Sequence, residues 1–231
     1  MVLKYGNLNL KKREKLKMVN NLEIIKKMLN FVDPNDFYFV QVLQRKKENP
    51  EVGSNSRVIK TYYIRSVEHL EARFDEMRKL ANLFNARVYI NLNKRNFERL
   101  GYKVLKKVVG QMESQNYSSM SSAFDSVAGM YSAQEDKRWI IDLDYDDINT
   151  FTDDYLDANK IAVKTFTGMV NKVSNFINTL QPTSIFSKVI NQIPTKNGLH
   201  LITSPFNLQD FRKKFPQIDV HKNNPTILYI P

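Results

Sequence analysis

The 231-residue chain is 42% hydrophobic and 11% aromatic, contains no cysteine and carries a formal net charge of +11. This apolar share excludes global disorder, and the lack of cysteine excludes a disulfide framework and thiolate zinc sites. Excess positive charge of this size favours polyanionic partners, above all nucleic acid and nucleotides. No signal-peptide core follows the first residues, and no apolar run approaches the ~18 residues of a membrane span. We therefore expect a soluble, cytoplasmic protein with no membrane partner.

The first half of the sequence predicts an α/β layer. Apolar residues at helical spacing among many lysines predict a basic amphipathic helix over residues 8–30, and Pro34 ends it. Alternating or β-branched runs predict three strands, and apolar residues at helical spacing predict two further helices, the first capped by Ser66. The predicted strands cover residues 37–43, 58–64 and 86–92, and the predicted helices cover residues 67–84 and 97–108.

A basic loop joins the first two predicted strands. Its positive side chains are Arg45, Lys46, Lys47 and Arg57. Such a loop at a hairpin tip can contact phosphate groups of a nucleic acid, and it can equally be an ordinary exposed loop.

Residues 114–136 are rich in serine, small residues and amides and lack a steady apolar period. We interpret them as a flexible or partly helical crossing segment between an N-terminal module, residues 1–113, and a C-terminal module, residues 137–231.

The C-terminal module has the pattern β-α-β-β-α-β, which is the order of a ferredoxin-like or RRM-like sheet. The buried strand at Trp139 is followed by a helix predicted from about Thr152 to Leu180. A hairpin then turns at residues 194–198, Asn207 caps a short helix, and residues 226–230 form the closing strand. The fold class is therefore α+β, an N-terminal α/β module packed on an RRM-like C-terminal sheet.

Two aspartates stand at the end of the Trp139 strand. Side chains alternate along a strand, so Asp142 and Asp144 project to the same side. Neighbouring carboxylates repel each other unless a positive charge lies between them, and Mg²⁺ or Mn²⁺ commonly has that role. The alternative is a strand that ends in a solvated acidic turn, since Asp146 and Asp147 follow at once.

His200 stands in an otherwise apolar strand, directly after Lys196, Asn197 and Gly198. Backbone N–H groups and an ammonium at such a turn can meet a triphosphate. A histidine in this position can also be purely structural, and Asp219 between two apolar residues can simply pair with a lysine.

The succession of these motifs resembles the archaeo-eukaryotic primase and primase-polymerase superfamily, and most closely the polymerase domain of bacterial end-joining ligases. The similarity covers about residues 142–224 and rests on an Asp-Leu-Asp strand, a Gly-Leu-His strand and a hydrophobic-Asp strand. It implies that Asp142, Asp144 and Asp219 bind two divalent metal ions and form the catalytic carboxylates. It also implies that His200, with Lys196, Asn197 and Gly198 beside it, contacts the phosphates of the incoming nucleotide.

The resemblance implies a nucleotidyltransferase that extends primers on a nucleic-acid template, using nucleoside triphosphates and Mg²⁺ or Mn²⁺. Its partners would be single-stranded DNA or a primer-template, with a helicase or other replication proteins. The family's motif II serine is absent here, since Thr195 and Asn197 are the nearest counterparts, and one predicted strand follows the Asp219 segment. Two alternatives stay open: a metal-dependent nuclease and a non-catalytic nucleic-acid-binding protein.

Overall fold

The computed structural model describes residues 18–53, 55–131, 137–150 and 166–231. These residues form a mixed α+β fold with two antiparallel sheets and, within the described ranges, six α-helices. The observed fold therefore confirms the α+β class.

The first sheet has the strand order β1-β10-β4-β2-β3, and the short strand β5 pairs with the start of β2. Every pairing is antiparallel. The strands are β1 (Val19–Asn20), β2 (Asp36–Gln44), β3 (Arg57–Ile64), β4 (Arg87–Ile90), β5 (Arg95–Asn96) and β10 (Thr226–Ile230).

Helices cover both faces of the first sheet because the long strand β2 is apolar on both sides. Tyr38, Val40 and Val42 belong to the core that contains α1 (Leu22–Lys26) and α2 (Val67–Leu83). Phe37 and Phe39 face the opposite way and pack against α3 (Phe97–Glu113) and α4 (Ala123–Met130). The period-2 alternation of side chains thus divides β2 between two helical layers.

The second sheet has the strand order β7-β8-β6-β9, again fully antiparallel. Its strands are β6 (Trp139–Asp144), β7 (Val189–Pro194), β8 (Gly198–Thr203) and β9 (Val220–His221), with helices α5 (Phe166–Thr179) and α6 (Leu208–Lys214). One face packs on α5 and α6 through residues such as Ile141, Leu143, Val173 and Phe211. The other face adds Ile140, Ile193 and Ile202 to the core of the first sheet, so the two sheets share one apolar seam.

Local signals placed several of these elements correctly. The Ser66 side chain accepts a hydrogen bond from the His69 amide at the start of α2, as an N-cap does. Asn207 likewise accepts from the amides of Gln209 and Asp210 at the start of α6. The predicted hairpin is formed by β7 and β8.

The prediction for the closing strand was wrong. Thr226–Ile230 does not complete the second sheet; it inserts between β1 and β4 in the first sheet, and the two-residue strand β9 closes the second sheet instead. An apolar run reports burial on a sheet, but it carries no information about which sheet.

The predicted helix over residues 8–30 was too long where it can be compared. Residues 8–17 lie outside the described ranges, Val19–Asn20 form a strand beside β10, and the helix covers only Leu22–Lys26. Pairing with the last strand outweighs the helical periodicity there.

The serine-rich segment is helical in its described part, with a 3₁₀ helix at Tyr117–Ser122 and then α4. Ala123, Val127 and Ala128 of α4 are buried. The predicted helix start at Thr152 and the contribution of Ile161 lie outside the described residues. No helix in the described part of the chain is both long and apolar enough to span a membrane.

Candidate active site

The strand β6, one of the two central strands of the second sheet, carries Asp142 and Asp144 on the face that points toward the first sheet. Ile140 lies on this face and packs into the shared seam, whereas Ile141 and Leu143 point into the core beneath α5 and α6. Asp142 is partly buried and Asp144 is exposed. The two carboxylates therefore mark the end of the seam that opens to solvent.

Strand register places two other predicted site residues on either side of Asp142. His200 is its direct partner on β8. On the other side, the Asp142 amide donates to the Asp219 carbonyl at 3.0 Å, next to the paired residues Ile141 and Val220. Asp142 thus lies between His200 on β8 and Asp219, which directly precedes β9, although the three residues are far apart in sequence.

The imidazole of His200 links the two sheets. Its Nε2 lies 3.4 Å from Oδ1 of Asp142, and its Nδ1 lies 2.7 Å from Oγ1 of Thr226. Thr226 is fully buried at the start of β10. Because both ring nitrogens contact groups of the chain, the ring has a fixed orientation at the end of the seam.

The surroundings of Asp142 keep this carboxyl ionised. Burial by itself raises the pKa of Asp142, but the hydrogen bond with His200 and the electrostatic interactions with His200, His221 and Arg45 outweigh the effect of burial. The net pKa lies below its ordinary value. The positive charge of Arg45, a residue predicted to bind nucleic acid, therefore helps to lower the pKa of Asp142.

The pKa values of the neighbouring carboxyls, Asp144 and Asp147, are raised instead of lowered. Burial and the negative charges of Asp142, Asp147 and Asp146 raise the pKa of Asp144. The pKa of Asp147 is raised as well, by burial and by the negative charges of Asp142, Asp146 and Asp219. The hydrogen bond from the Asp144 amide lowers it in part. The Asp144 amide donates to Oδ2 of Asp147 at 2.8 Å. Negative charge thus accumulates at this end of the seam.

The chemistry of these donors suits a hard divalent cation, because carboxylate oxygens are its preferred ligands and a cation would relieve their mutual repulsion. Asp142 and Asp144 are the residues that would hold it, with Asp147 and Asp219 next to them. Within the described ranges, however, no three or more His, Asp or Glu side chains are already arranged as a metal cage. The chemistry of the donors therefore fits such a cation.

The turn between β7 and β8 supports the site mainly through its backbone. A Cβ on Gly198 would overlap the Leu143 carbonyl oxygen and lie 2.8 Å from the Asp144 Cα, so only glycine allows β8 to approach β6 here. The Asn197 carbonyl accepts from the Tyr145 amide at 2.8 Å. These contacts give both residues a structural role, beside the nucleotide contact expected from the resemblance.

Lys196 and the basic loop after β2 meet across the seam. The Lys196 ammonium lies 3.7 Å from Oε1 of Glu48, and Glu48 also accepts two hydrogen bonds from the Arg87 guanidinium. Burial raises the pKa of Glu48, but the interactions with Arg87, Lys196 and Arg45 are stronger than this effect. The net pKa of Glu48 is therefore lowered. Lys196 and Arg45 therefore lie near the same carboxylate.

The other predicted nucleic-acid-binding side chains in this loop are Lys46, Lys47 and Arg57, and all three are exposed. The start of the loop is held by the buried side chain of Asn49, which donates to the carbonyls of Arg45 and Asn85. Of the four predicted basic residues, the structure brings Arg45 toward the carboxylates, and no contact connects the other three with them.

Sequence reasoning missed two residues that shape the site. Thr226 fixes the His200 ring, and Glu48 connects the basic loop with the turn that holds Lys196. Neither belongs to a motif, and only the strand pairing could have revealed them. Asp147 belongs to the acidic turn after β6, and the pair Asp146 and Asp147 directly after Asp144's neighbour Tyr145 is its signal in the sequence.

Comparisons of the chain with protein-family models, curated proteins and solved structures give no match.

Proposed function

We propose that this protein is a primase-polymerase-like nucleotidyltransferase that acts on a nucleic-acid template with nucleoside triphosphates and Mg²⁺ or Mn²⁺. The observation that carries the proposal is that Asp142 and His200 pair on the adjacent strands β6 and β8, while Asp219, directly before β9, accepts from the Asp142 amide on the other side. Asp144 lies two residues further along β6. The resemblance assigned these four residues to one site from their order in the sequence. The fold then supports that grouping through strand register, which is independent of the motif comparison.

We also propose that the second sheet is RRM-like. In chain order its elements are β6-α5-β7-β8-α6-β9, and its strand order is β7-β8-β6-β9. A ferredoxin-like β-α-β-β-α-β unit has two strands in the middle and one at each edge, which agrees with this antiparallel arrangement. The two middle strands, β6 and β8, are those that carry Asp142 and His200.

In the proposed reaction the metal would neutralise charge on the attacking and leaving oxygens. The chain itself supplies positioning and electrostatics. Asp142 and Asp144 hold negative charge at the open end of the seam, and Arg45 and Lys196 provide positive charge nearby for triphosphate oxygens. The apolar seam behind Asp142 excludes water from one side of the site.

His200 can contact a nucleotide phosphate only if its contact with Asp142 changes. Both ring nitrogens already contact chain atoms, and the longer of the two contacts is the one to Asp142. A cation on Asp142 would compete for the same carboxylate oxygen and release Nε2 toward a phosphate. Metal and nucleotide binding are thereby coupled through one contact, while Thr226 keeps the ring in place.

A non-catalytic nucleic-acid-binding protein is the second candidate function. The observation that favours it is the absence of a preformed three-ligand group within the described ranges, together with the engagement of Asp142 by His200. In that case the carboxylates would be dispensable for the protein's action.

The test is incorporation of labelled nucleotides on single-stranded DNA and on a primer-template, with Mn²⁺ or Mg²⁺ present. We expect metal-dependent product growth that the double variant Asp142→Asn/Asp144→Asn abolishes. Asp75→Asn, an exposed change on α2, is the matched control and should keep full activity. Degradation of the template without product growth would assign a nuclease. Binding by the wild type and the double variant alike, with no reaction, would assign the non-catalytic function.

A further inference from the structure

A cavity of about 570 Å³ opens at the other end of β6 from the carboxylates. We call it the basic cleft, and it lies between the two sheets. The half that contains the first sheet contributes Asp36, Lys94 and Arg99, and the half that contains the second sheet contributes Lys137 and Arg138. Apolar wall residues from the second half complete it, namely Ile190 and Pro205.

The basic cleft is separate from the candidate active site. Arg138 directly precedes β6 and Asp144 ends it, so the two positions are about 20 Å apart at ~3.3 Å per residue. Arg138, Ile140 and Asp144 share one face of the strand by alternation. Ile140, buried in the seam, therefore divides a basic end from an acidic end.

The buried carboxylate in the basic cleft, that of Asp36, is already paired with groups of the chain. Oδ2 of Asp36 accepts from the Lys94 ammonium at 2.6 Å and from the amides of Val32 and Asp33. Burial raises the pKa of Asp36, but these hydrogen bonds are stronger than this effect, so the net pKa of Asp36 is lowered. The buried Asp36 is thus an ionised, internally paired group, and Lys94 is its partner.

The remaining charge is positive. Among the described residues, four basic and two acidic side chains line the cleft, an excess of two positive charges; the second carboxylate is Asp33. Arg99 and Lys137 are exposed at the rim. Arg138 is partly buried, and its guanidinium donates to the Met28 carbonyl at 2.6 Å, which fixes its position.

The 17-residue helix α3 begins at the cleft and adds to this potential. Its N-cap Asn96 lines the cleft, accepts from the Arg99 amide and donates to Asp36. The positive end of the helix dipole is therefore turned toward the same space as the cations.

We propose that the basic cleft binds the phosphate backbone of a single-stranded nucleic acid. Cations at the rim and in the interior can contact successive phosphates, and the half-exposed Ile190 with Pro205 offers an apolar wall for a sugar or base. The excess of basic residues over the whole chain favours the same class of ligand. The inference relies on the proposed function for the choice of nucleic acid, and it requires no catalysis.

The experiment measures binding of a fluorescently labelled single-stranded oligonucleotide by anisotropy across a salt series. Arg99→Glu/Lys137→Glu should weaken binding on the order of tenfold or more, which is about 1.4 kcal/mol or more, because two cations that contact phosphates are replaced by anions. The slope of log K against log salt should fall by about two, one for each lost contact.

Lys79→Glu/Lys106→Glu is the matched control, because it changes the net charge equally at exposed positions outside the cleft. Its binding should stay within about twofold of the wild type at ~0.1 M salt, where distant charges are screened. Equal losses in the two double variants would mean that only the overall charge attracts nucleic acid, and the proposal would be overturned. An unchanged salt slope in the cleft variant would overturn it as well.

Two further arms identify the ligand and separate this inference from the proposed function. Inorganic pyrophosphate and a mononucleotide, each titrated against the labelled oligonucleotide, should compete only weakly; displacement by either at micromolar concentration would assign a small phosphate ligand and overturn the strand proposal. Asp142→Asn/Asp144→Asn should lose nucleotide incorporation and keep oligonucleotide binding. If no variant and no wild type incorporates nucleotides, while the cleft variant alone loses binding, the function fails and the inference stands.

Discussion

The carboxylate of Asp142 and the imidazole of His200 contact each other at 3.4 Å across neighbouring strands, and the proposed chemistry requires both groups for other partners. The contact is a major reason that the pKa of Asp142 lies below its ordinary value despite burial. Ionisation of Asp142 therefore stabilises the fold at neutral pH, and this contribution is lost as the pH falls through the lowered pKa. The Asp142–His200 contact thus stabilises the end of the seam, and a metal ion on Asp142 or a phosphate on His200 would have to replace it.

Removal of the imidazole should reverse the pKa shift of Asp142. In His200→Ala, burial remains while the hydrogen bond and the electrostatic interaction with the imidazole are gone, so the pKa of Asp142 should rise above its ordinary value of 3.8. Carboxyl ¹³C NMR titration measures this directly. His69→Ala, on α2, is the control and should leave the Asp142 titration unchanged. A pKa that stays low in His200→Ala would show that His221 and Arg45 suffice.

The close approach of β8 to β6 should make Gly198 intolerant of any side chain. Gly198→Ala places a Cβ against the backbone of Leu143 and Asp144, and such overpacking costs typically ~1–3 kcal/mol of unfolding free energy. Urea denaturation gives the value. Gly110→Ala is a matched control in α3, where an added Cβ meets no atom within 4 Å; it should be neutral or stabilise by about 0.5–1 kcal/mol. Equal behaviour of the two variants would contradict the packing argument.

Neutralising Asp144 should stabilise the protein in the absence of metal. Its pKa is raised in the folded state, so ionisation at neutral pH costs stability, and that cost disappears below the pKa of the unfolded chain. Asp144→Asn should raise the Tm at pH 7 by roughly 1 °C or more, and it should have no effect near pH 3. Thermal unfolding at both pH values checks the sign; a stabilisation that persists unchanged at pH 3 would contradict the electrostatic cause.

Divalent metal should stabilise the wild type but not a variant that lacks the Asp142 and Asp144 carboxylates. If Asp142 and Asp144 hold the ion, Mn²⁺ in large excess over its dissociation constant should raise the wild-type Tm by mass action. The rise should be absent in Asp142→Asn/Asp144→Asn and retained in Asp75→Asn. Isothermal titration calorimetry without nucleotide or template gives an independent readout. Equal responses of all three proteins would place the ion elsewhere.

Arg95 should be among the most sensitive positions of the first half. Its guanidinium is fully buried and donates to neutral oxygens, those of Ala128, Asn91, Asn93, Gly129 and Asn223. Burial lowers its pKa to about 10, so it stays charged at neutral pH. Arg95→Met strands several buried acceptors and should cost about 3 kcal/mol or more of unfolding free energy. Arg73→Met, exposed on α2 with a 3.6 Å ion pair, should cost less than about 1 kcal/mol. Chemical denaturation compares the two variants.

Sequence patterns predicted what depends on neighbours in the chain. The caps at Ser66 and Asn207 and the β7–β8 hairpin are set by residues within a few positions, and alternation alone placed Asp142 and Asp144 on one face. The resemblance grouped Asp142 with His200 and Asp219, but their actual adjacency depends on strand register, which no local pattern contains.

The errors share one physical origin, which is pairing between distant segments. Val19 pairs with Ile230, more than 200 residues away, and this pairing replaces the helix that the spacing of apolar residues predicted. The same last strand was assigned to the wrong sheet for the same reason. Thr226 escaped notice as a site residue because it reaches His200 only through that strand.

The position of β10 between β1 and β4 also has a consequence for synthesis on the ribosome. The strand β4 ends at Ile90, yet its neighbour is not made until residue 230, which at about 5–20 residues per second is on the order of ten seconds later. During that interval one edge of β4 has no partner, and the nascent chain presents an unpaired, apolar strand edge of the kind that promotes aggregation. A polypeptide that is truncated before Thr226 would lack the strand that joins β1 to β4, and its His200 would lack the threonine that orients the ring.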